Sequence, residues 1–440
     1  MTLRVMRWPS PHRFAFGITD DPDQSRTPRV RAIYDECARH GISPTRGLCV
    51  TAPNRECGLV NQTPPDDGVT LEDEDHLELC RELQTRGIEM SWHGASSGNN
   101  TRTESVEALE HFERTLGAAP RLITFHSHNA ENVHWGAGSF RPGFIRWIAG
   151  ALVPRKTERF EGDDPESPYG WSDVVRERFD YARLYRTLNV DVLRVNPSMP
   201  YHSPSRPDIR FWFSATAQDL NALRRINKRS VRKLRKRDGL CMLYAHLAEK
   251  LVDDNGNVIP EAKRVFSLIG DQDDCWCSGA SAILDRLRAI KNLVIREQRA
   301  GIVIANPTPI DLHDLQIRTS HSTLYNSNGE ELERNEHGLF VLPELPGGAT
   351  RALYPTRDLA WISDPKGISV FERARLVLEE TRRILALRAL YRGPRKSGIP
   401  IETLRSVKNG TNNHEPPFVR TNHLHQPGSS RSDPIPNRAD

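Results

Sequence analysis

Arg13-Phe14-Ala15-Phe16-Gly17-Ile18-Thr19-Asp20-Asp21 decides the fold: an apolar run ending in two adjacent carboxylates reads as a buried strand that delivers charge at its C-terminal tip. Two neighbouring acids repel when both are ionised and unpaired, so a cation, a basic neighbour or a raised pKa must stabilise them. The plainer alternative is a helix cap, since Asp-Asp-Pro-Asp over 20–23 also suits a helix N-terminus before Thr27-Pro28.

Working outward, the chain alternates strand and helix patterns. Helical spacing of Val30, Ile33, Tyr34 and Cys37 predicts a helix over 27–40, and a strand over 46–53 follows it. An acidic start and the stop at Gly87 predict a helix over 72–85. The strand over 88–94 ends in His93-Gly94, and a helix opening near Thr103-Glu104 carries Val106, Leu109, Phe112 and Leu116 on one stripe. In the next strand, 121–128, a period of two puts Thr124, His126 and His128 on one face. Residues 129–181 read as a long irregular insertion, an active-site cover whose Trp135, Tyr169 and Trp171 can stack on a sugar. Order resumes at Asp191–Pro197 and in the strand 209–214, where Arg194 and Trp212 join Trp135 as the candidate substrate-binding residues.

The segment 217–238 reads as one helix whose basic second half, Lys228 to Arg237, is a solvated face over a stripe of Leu223, Ile226 and Leu234. The strand 241–246 ends in His246, a helix spans 260–269, and Cys275-Trp276-Cys277 with the helix 280–291 closes the series. Seven or eight strands alternating with helices imply a closed or nearly closed β/α barrel, so 1–298 is taken as the barrel domain. Past Arg299 the pattern changes to short antiparallel strands with a turn at Asn328-Gly329, predicting a small β-sandwich over 299–360. An amphipathic, Arg-rich helix is expected within 366–392, and 393–440 has too little apolar content to order itself.

The bulk properties narrow the function. At 440 residues the chain has room for one large domain and a smaller one. Lys plus Arg (61) against Asp plus Glu (57) leaves only +4, which argues against nucleic acid as a partner. The seven cysteines are odd in number and lack paired CxxC spacing, so they read as reduced thiols. The first eleven residues hold no apolar export core and no stretch reaches about 18 apolar residues, so no membrane span is expected and a cytoplasmic location is.

Asp20, Asp21, His93, His126, His128 and His246 all fall at predicted strand ends, which converge on one face of a parallel barrel. A carboxylate with two imidazoles is a standard ligand set for Zn or a similar divalent ion, with open positions for water and substrate.

These motifs resemble the polysaccharide deacetylases (carbohydrate esterase family 4, in the glycoside hydrolase/deacetylase superfamily). Thr19-Asp20-Asp21 is similar to the first motif, His93-Gly94-Ala95-Ser96-Ser97 to the His-x-x-x-His motif, and Leu243-Tyr244-Ala245-His246 to the late Leu-x-x-His element. The likeness runs over about 12–291 and implies a distorted (β/α)7 barrel. It further implies Asp20 as base, Asp21 and His93 as metal ligands, and His246 as general acid. Ser97 stands where the second metal histidine belongs, and no Arg-x-Pro motif follows the third helix. His126 or His128 is expected to supply the missing ligand. The resulting expectation is a hydrolase using a divalent ion, Zn2+ first with Co2+, Ni2+ or Mn2+ as alternatives, that removes an N-acetyl or other acyl group from a saccharide or glycoconjugate. Two other classes stay open: a glycoside hydrolase, which adjacent Asp20 and Asp21 fit poorly, and a non-catalytic carbohydrate-binding or scaffolding protein, which Ser97 favours.

Overall fold

The computed structural model describes residues 3–53, 68–126, 129–133, 160–203, 206–298 and 301–356. His128, Trp135 with the rest of 134–159 in the 129–181 insertion, the helix expected within 366–392 and the tail 393–440 lie outside the described residues.

Arg4–Pro9 forms β1, and Phe14–Asp20 forms β2. Helix α1 (Thr27–Arg39), β3 (Thr45–Cys49), α2 (Glu74–Thr85), β4 (Glu89–Gly94), α3 (Arg102–Leu116) and the short β5 (Leu122–Ile123) follow. Then come α4 (Ser172–Arg178), β6 (Tyr181–Thr187), the single turn α5 (Val192–Val195), β7 (Phe211–Thr216), α6 (Asp219–Arg225), α7 (Lys228–Arg237) and β8 (Leu240–Ala245). Short α8 (Leu247–Lys250), α9 (Pro260–Gly270), β9 (Cys275–Cys277) and α10 (Ala280–Asn292) complete the β/α part.

Strands β2 to β8 pair in parallel in the order β2-β3-β4-β5-β6-β7-β8, and β8 pairs back onto β2, which closes a seven-stranded barrel. β2 makes the seam. Its upper residues Thr19 and Asp20 lie beside Thr45 and Arg46 of β3, while Phe14 to Phe16 lie beside β9, which fills the gap lower down.

Period two along each strand sorts side chains between the barrel interior and the helix layer. On β4, Trp92 faces out onto Phe112 of α3, Trp171 and Phe179, at ring-centroid distances of 6.0–6.3 Å. Its neighbour His93 therefore faces in. Trp171, expected to stack on a sugar, is instead a core residue: it is 1% exposed, and its Nε1 donates to the Glu131 carbonyl.

Two elements differ from the sequence reading. Order returns at Ser172 rather than Asp191, because Val175, Phe179 and Tyr181 bury against the barrel and draw this segment into it. The single helix expected over 217–238 is two, because Asn227 caps a new start: its side chain accepts from the backbone N–H groups of Arg229 and Ser230.

The antiparallel part consists of two three-stranded sheets. One has the order β1-β12-β13, with β12 Leu312–Arg318 and β13 Phe340–Leu345; the other is β10 (Val294–Gln298), β11 (Gly301–Ala305) and β14 (Thr350–Leu353). Ile302, Ile304, Leu315, Ile317, Phe340 and Leu353 share one apolar core between them. The first strand of the chain thus belongs to a sheet built mostly from its far end, with Arg4 opposite Arg318.

Candidate metal and acid–base site

Asp20 and Asp21 are adjacent, so alternation sends them to opposite sides of β2. Asp20 points into the helix layer, where Tyr34 of α1 donates to its Oδ2 at 2.8 Å, Arg46 Nη1 donates to the same oxygen at 2.7 Å, and the Leu247 amide donates to Oδ1 at 2.8 Å. Burial works against the Arg46 charge, but Asp20 outweighs it and raises the arginine's pKa. The Asp20 side chain is fully buried, with three donors around it, and does not face the imidazoles.

Asp21 faces in. Arg183 of β6 grips it with both nitrogens, Nη1 to Oδ1 at 2.8 Å and Nη2 to Oδ2 at 2.5 Å, and Nη1 also reaches Thr19 Oγ1 at 3.1 Å. The guanidinium stacks 3.9 Å from the centroid of the Tyr244 ring. Burial disfavours ionised Asp21, yet Arg183 outweighs it and lowers the carboxyl's pKa. The acidic pair is thus relieved by two separate buried arginines, one on each face of the strand.

The carboxylate that meets the histidines is Asp23. Its Oδ1 lies 3.1 Å from His93 Nε2 and 4.0 Å from His126 Nε2, and its Oδ2 lies 3.1 Å from His246 Nε2. One ligand atom each from Asp23, His93 and His126 can be chosen so that all lie within 4.8 Å of one another. Gly47 permits this convergence: a Cβ there would come within 2.8 Å of the Asp20 carbonyl and 3.2 Å of Pro22 Cδ, pushing the turn that carries Asp23 off the sheet.

Each imidazole is oriented through its other nitrogen. His93 Nδ1 lies 3.1 Å from Thr124 Oγ1, and His126 Nδ1 donates to Asn129 Oδ1 at 2.7 Å, which leaves both Nε2 atoms facing Asp23. Asn129 in turn donates to Glu131 Oε1 at 2.9 Å, and burial pushes that carboxyl up to about 7. His246 Nδ1 sits 3.1 Å from Asp219 Oδ1, and Asp219 holds a left-handed φ of 50° at the start of α6. Burial works to discharge His246, but the hydrogen bonds to Asp219 and Asp23 outweigh it and hold the imidazole well above its ordinary pKa. The same contacts, with those of His93, hold Asp23 well below the usual carboxylate range in spite of its burial.

Asp21, His93, His126 and His246 therefore come together, and Asp20 is on the other side of the strand. Arg194 is an exposed residue of α5, three positions after Asp191, which accepts from the amide of Leu240 at the start of β8; that is the end of the barrel away from His246. Trp212 is 1% exposed in β7, level with Ala182, and has no face open to a substrate. The sequence reading missed Asp23, Arg183, Asp219, Asn129 and Glu131. Asp23 had a signal, since Asp21-Pro22-Asp23 keeps the parity of the inward-facing carboxylate across a turn. Arg183 lay in a strand that was not recognised.

Neither a family model nor a curated protein matches the chain. Solved structures to which it is similar include Puue allantoinase, at 12% identity over 64% of this chain and 93% of that one with a TM-score of 0.36. The 4-alpha-glucanotransferase from Thermococcus litoralis is 12% identical over 62% of this chain and 40% of that one, with a TM-score of 0.34. A mutant CE4 family pseudoenzyme with restored enzymatic activity is 11% identical over 63% of this chain and 69% of that one, with a TM-score of 0.29. Likenesses this loose leave the chemistry of the site to be argued from its own side chains.

Proposed function

We propose that the chain is a metal-dependent hydrolase that cleaves an amide, of the kind found in N-acylated saccharides. The observation that carries this is the convergence of Asp23, His93 and His126 within ligand distance of one another, a carboxylate and two imidazoles oriented by Thr124 and Asn129. A divalent ion held there supplies charge to polarise the scissile carbonyl and to acidify a water.

The remaining residues supply proton transfer. The motif resemblance gave the base role to Asp20, but that carboxylate is sealed against α1, so the role passes to Asp21. Each Asp21 oxygen accepts one hydrogen bond from Arg183 and keeps a lone pair for the proton of the attacking water. His246, kept protonated and oriented by Asp219, donates its proton to the leaving nitrogen as the C–N bond breaks, giving a carboxylic acid and an amine. The saccharide as substrate class rests on the motif resemblance.

A second reading has its own observation: the Asp23–His246 bridge of 3.1 Å can close the site without an ion, as in a protein that binds a saccharide without turning it over. Metal content by plasma mass spectrometry separates them. About one equivalent of Zn, Ni, Co or Mn per chain is expected, lost in Asp23→Ala and His126→Ala, with acetate released from N-acetylated sugars by the loaded protein. A wild-type chain that stays metal-free after dialysis against those ions would overturn the hydrolase reading.

A further inference from the structure

Among the described residues six cysteines are free, and Cys277 is the one of them that is not buried. It ends the Cys275-Trp276-Cys277 run of β9, which lies at the end of the barrel sheet and pairs there with β2. Alternation puts both thiols on one side of the strand, level with Phe14 and Phe16 of β2, and sends Trp276 to the other side, beside Trp8. The two sulfurs lie 3.7 Å apart, in hydrogen-bond contact. One intervening residue is a short span for a disulfide, yet two residues of strand hold the Cα atoms about 6.6 Å apart, inside the range of about 4.4–6.8 Å that a disulfide bridges. The proposed hydrolytic site uses neither thiol.

The surroundings divide the work between them. Burial first, and then the contact with Cys277, push the Cys275 thiol well up, so the proton between the two sulfurs stays on Cys275. Cys277 is half-buried and is the sulfur that a small reagent can reach. Cys37 of α1 and Cys241 of β8 also lie close enough to act on the pair, but both are fully buried.

We infer that Cys275 and Cys277 are a modification site, a pair that a hydroperoxide closes into a reversible disulfide within β9. The Cys277 sulfur attacks the peroxide, the O–O bond breaks, and a sulfenic acid forms on Cys277 with release of water or an alcohol. The Cys275 sulfur then attacks that of Cys277, the S–O bond breaks, and the departing hydroxide takes the Cys275 proton and leaves as water. No free Cys275 thiolate is needed. The pair loses two electrons and two protons, and the peroxide is the group reduced. A dithiol reverses the reaction by exchange and is itself oxidised.

The test is to treat the full chain with hydrogen peroxide, unfold it, alkylate it with iodoacetamide and read its peptides by mass spectrometry. The wild-type peptide carrying 275–277 is expected to lose about 2 Da and take no alkyl group, and dithiothreitol should restore both alkylation sites. Cys275→Ser should abolish the loss and leave on Cys277 a sulfenic acid that dimedone captures. Cys277→Ser should abolish it too, with Cys275 still open to alkylation after unfolding. Cys37→Ala and Cys241→Ala, which remove the neighbouring thiols, should leave the loss unchanged. Circular dichroism confirms that each variant is folded. The inference is overturned by a wild-type peptide that still takes two alkyl groups, by Cys277 joined to any other cysteine, by a sulfinic acid on Cys277 as the first stable product, or by dimedone capture at Cys275 in Cys277→Ser.

Discussion

Arg183 and Asp21 show how a single buried pair organises the proposed site. Their side chains are 8% and 3% exposed and joined by two hydrogen bonds, and breaking such a pair from one side strands the other charge in a low-dielectric interior. Arg183→Met should therefore cost about 3–5 kcal/mol in urea denaturation. Asp21→Asn, which keeps the shape and removes the charge, should lower any hydrolytic rate far more than it lowers metal content. His246 gives a pH test. Its folded-state pKa is raised, so its contribution to stability is complete below the unfolded value near 6.5 and is lost as pH rises through the higher folded value. Chelator-treated protein should thus lose stability on the alkaline side of about pH 6.5, and His246→Gln should flatten that slope. A wild-type stability that is level from pH 6 to 9 would count against the Asp219–His246–Asp23 arrangement.

Among the elements, the strands with helical or polar punctuation on both sides were legible and the others were not. β2, β4 and β8 each announce themselves as apolar runs ending in Asp or His, and the closed seven-stranded barrel follows from their alternation with helices. β6 was hidden because Tyr181-Ala182-Arg183-Leu184-Tyr185-Arg186 places arginines inside a strand, and only the fold explains one of them, as the partner of Asp21. The inward turn of Asp23 was hinted at only by its parity with Asp21, since loop direction depends on tertiary contacts such as the close approach at Gly47. Helix starts carried a local signal that is easily tested. Thr101 caps α3 in a reciprocal box with Glu104, so Thr101→Ala should cost about 1 kcal/mol and Thr101→Ser much less, as read by thermal or urea unfolding.

At the scale of the whole molecule, the two ends of the described chain are fastened together. Trp8 is 1% exposed beside Trp276, and Gln316 Nε2 donates to the carbonyls of Trp8 and His12, at 2.9 and 2.8 Å. Removing residues 1–9 should therefore destabilise the barrel as well as the outer sheet. A single cooperative transition at lower urea is the expected result; a barrel that unfolds at its original midpoint would show the strand to be dispensable. Among the described residues no helix is long and apolar enough to cross a membrane.

The pairing of β1 with β12 also sets a waiting time. Arg4 leaves the ribosome 314 positions ahead of its partner Arg318, a delay of roughly 15–60 s at ordinary synthesis rates. Throughout that interval the first strand has unpaired backbone edges, while the barrel behind it can already close. The nascent chain is thus exposed to mispairing at β1, and the arrival of β12 is what ends the risk.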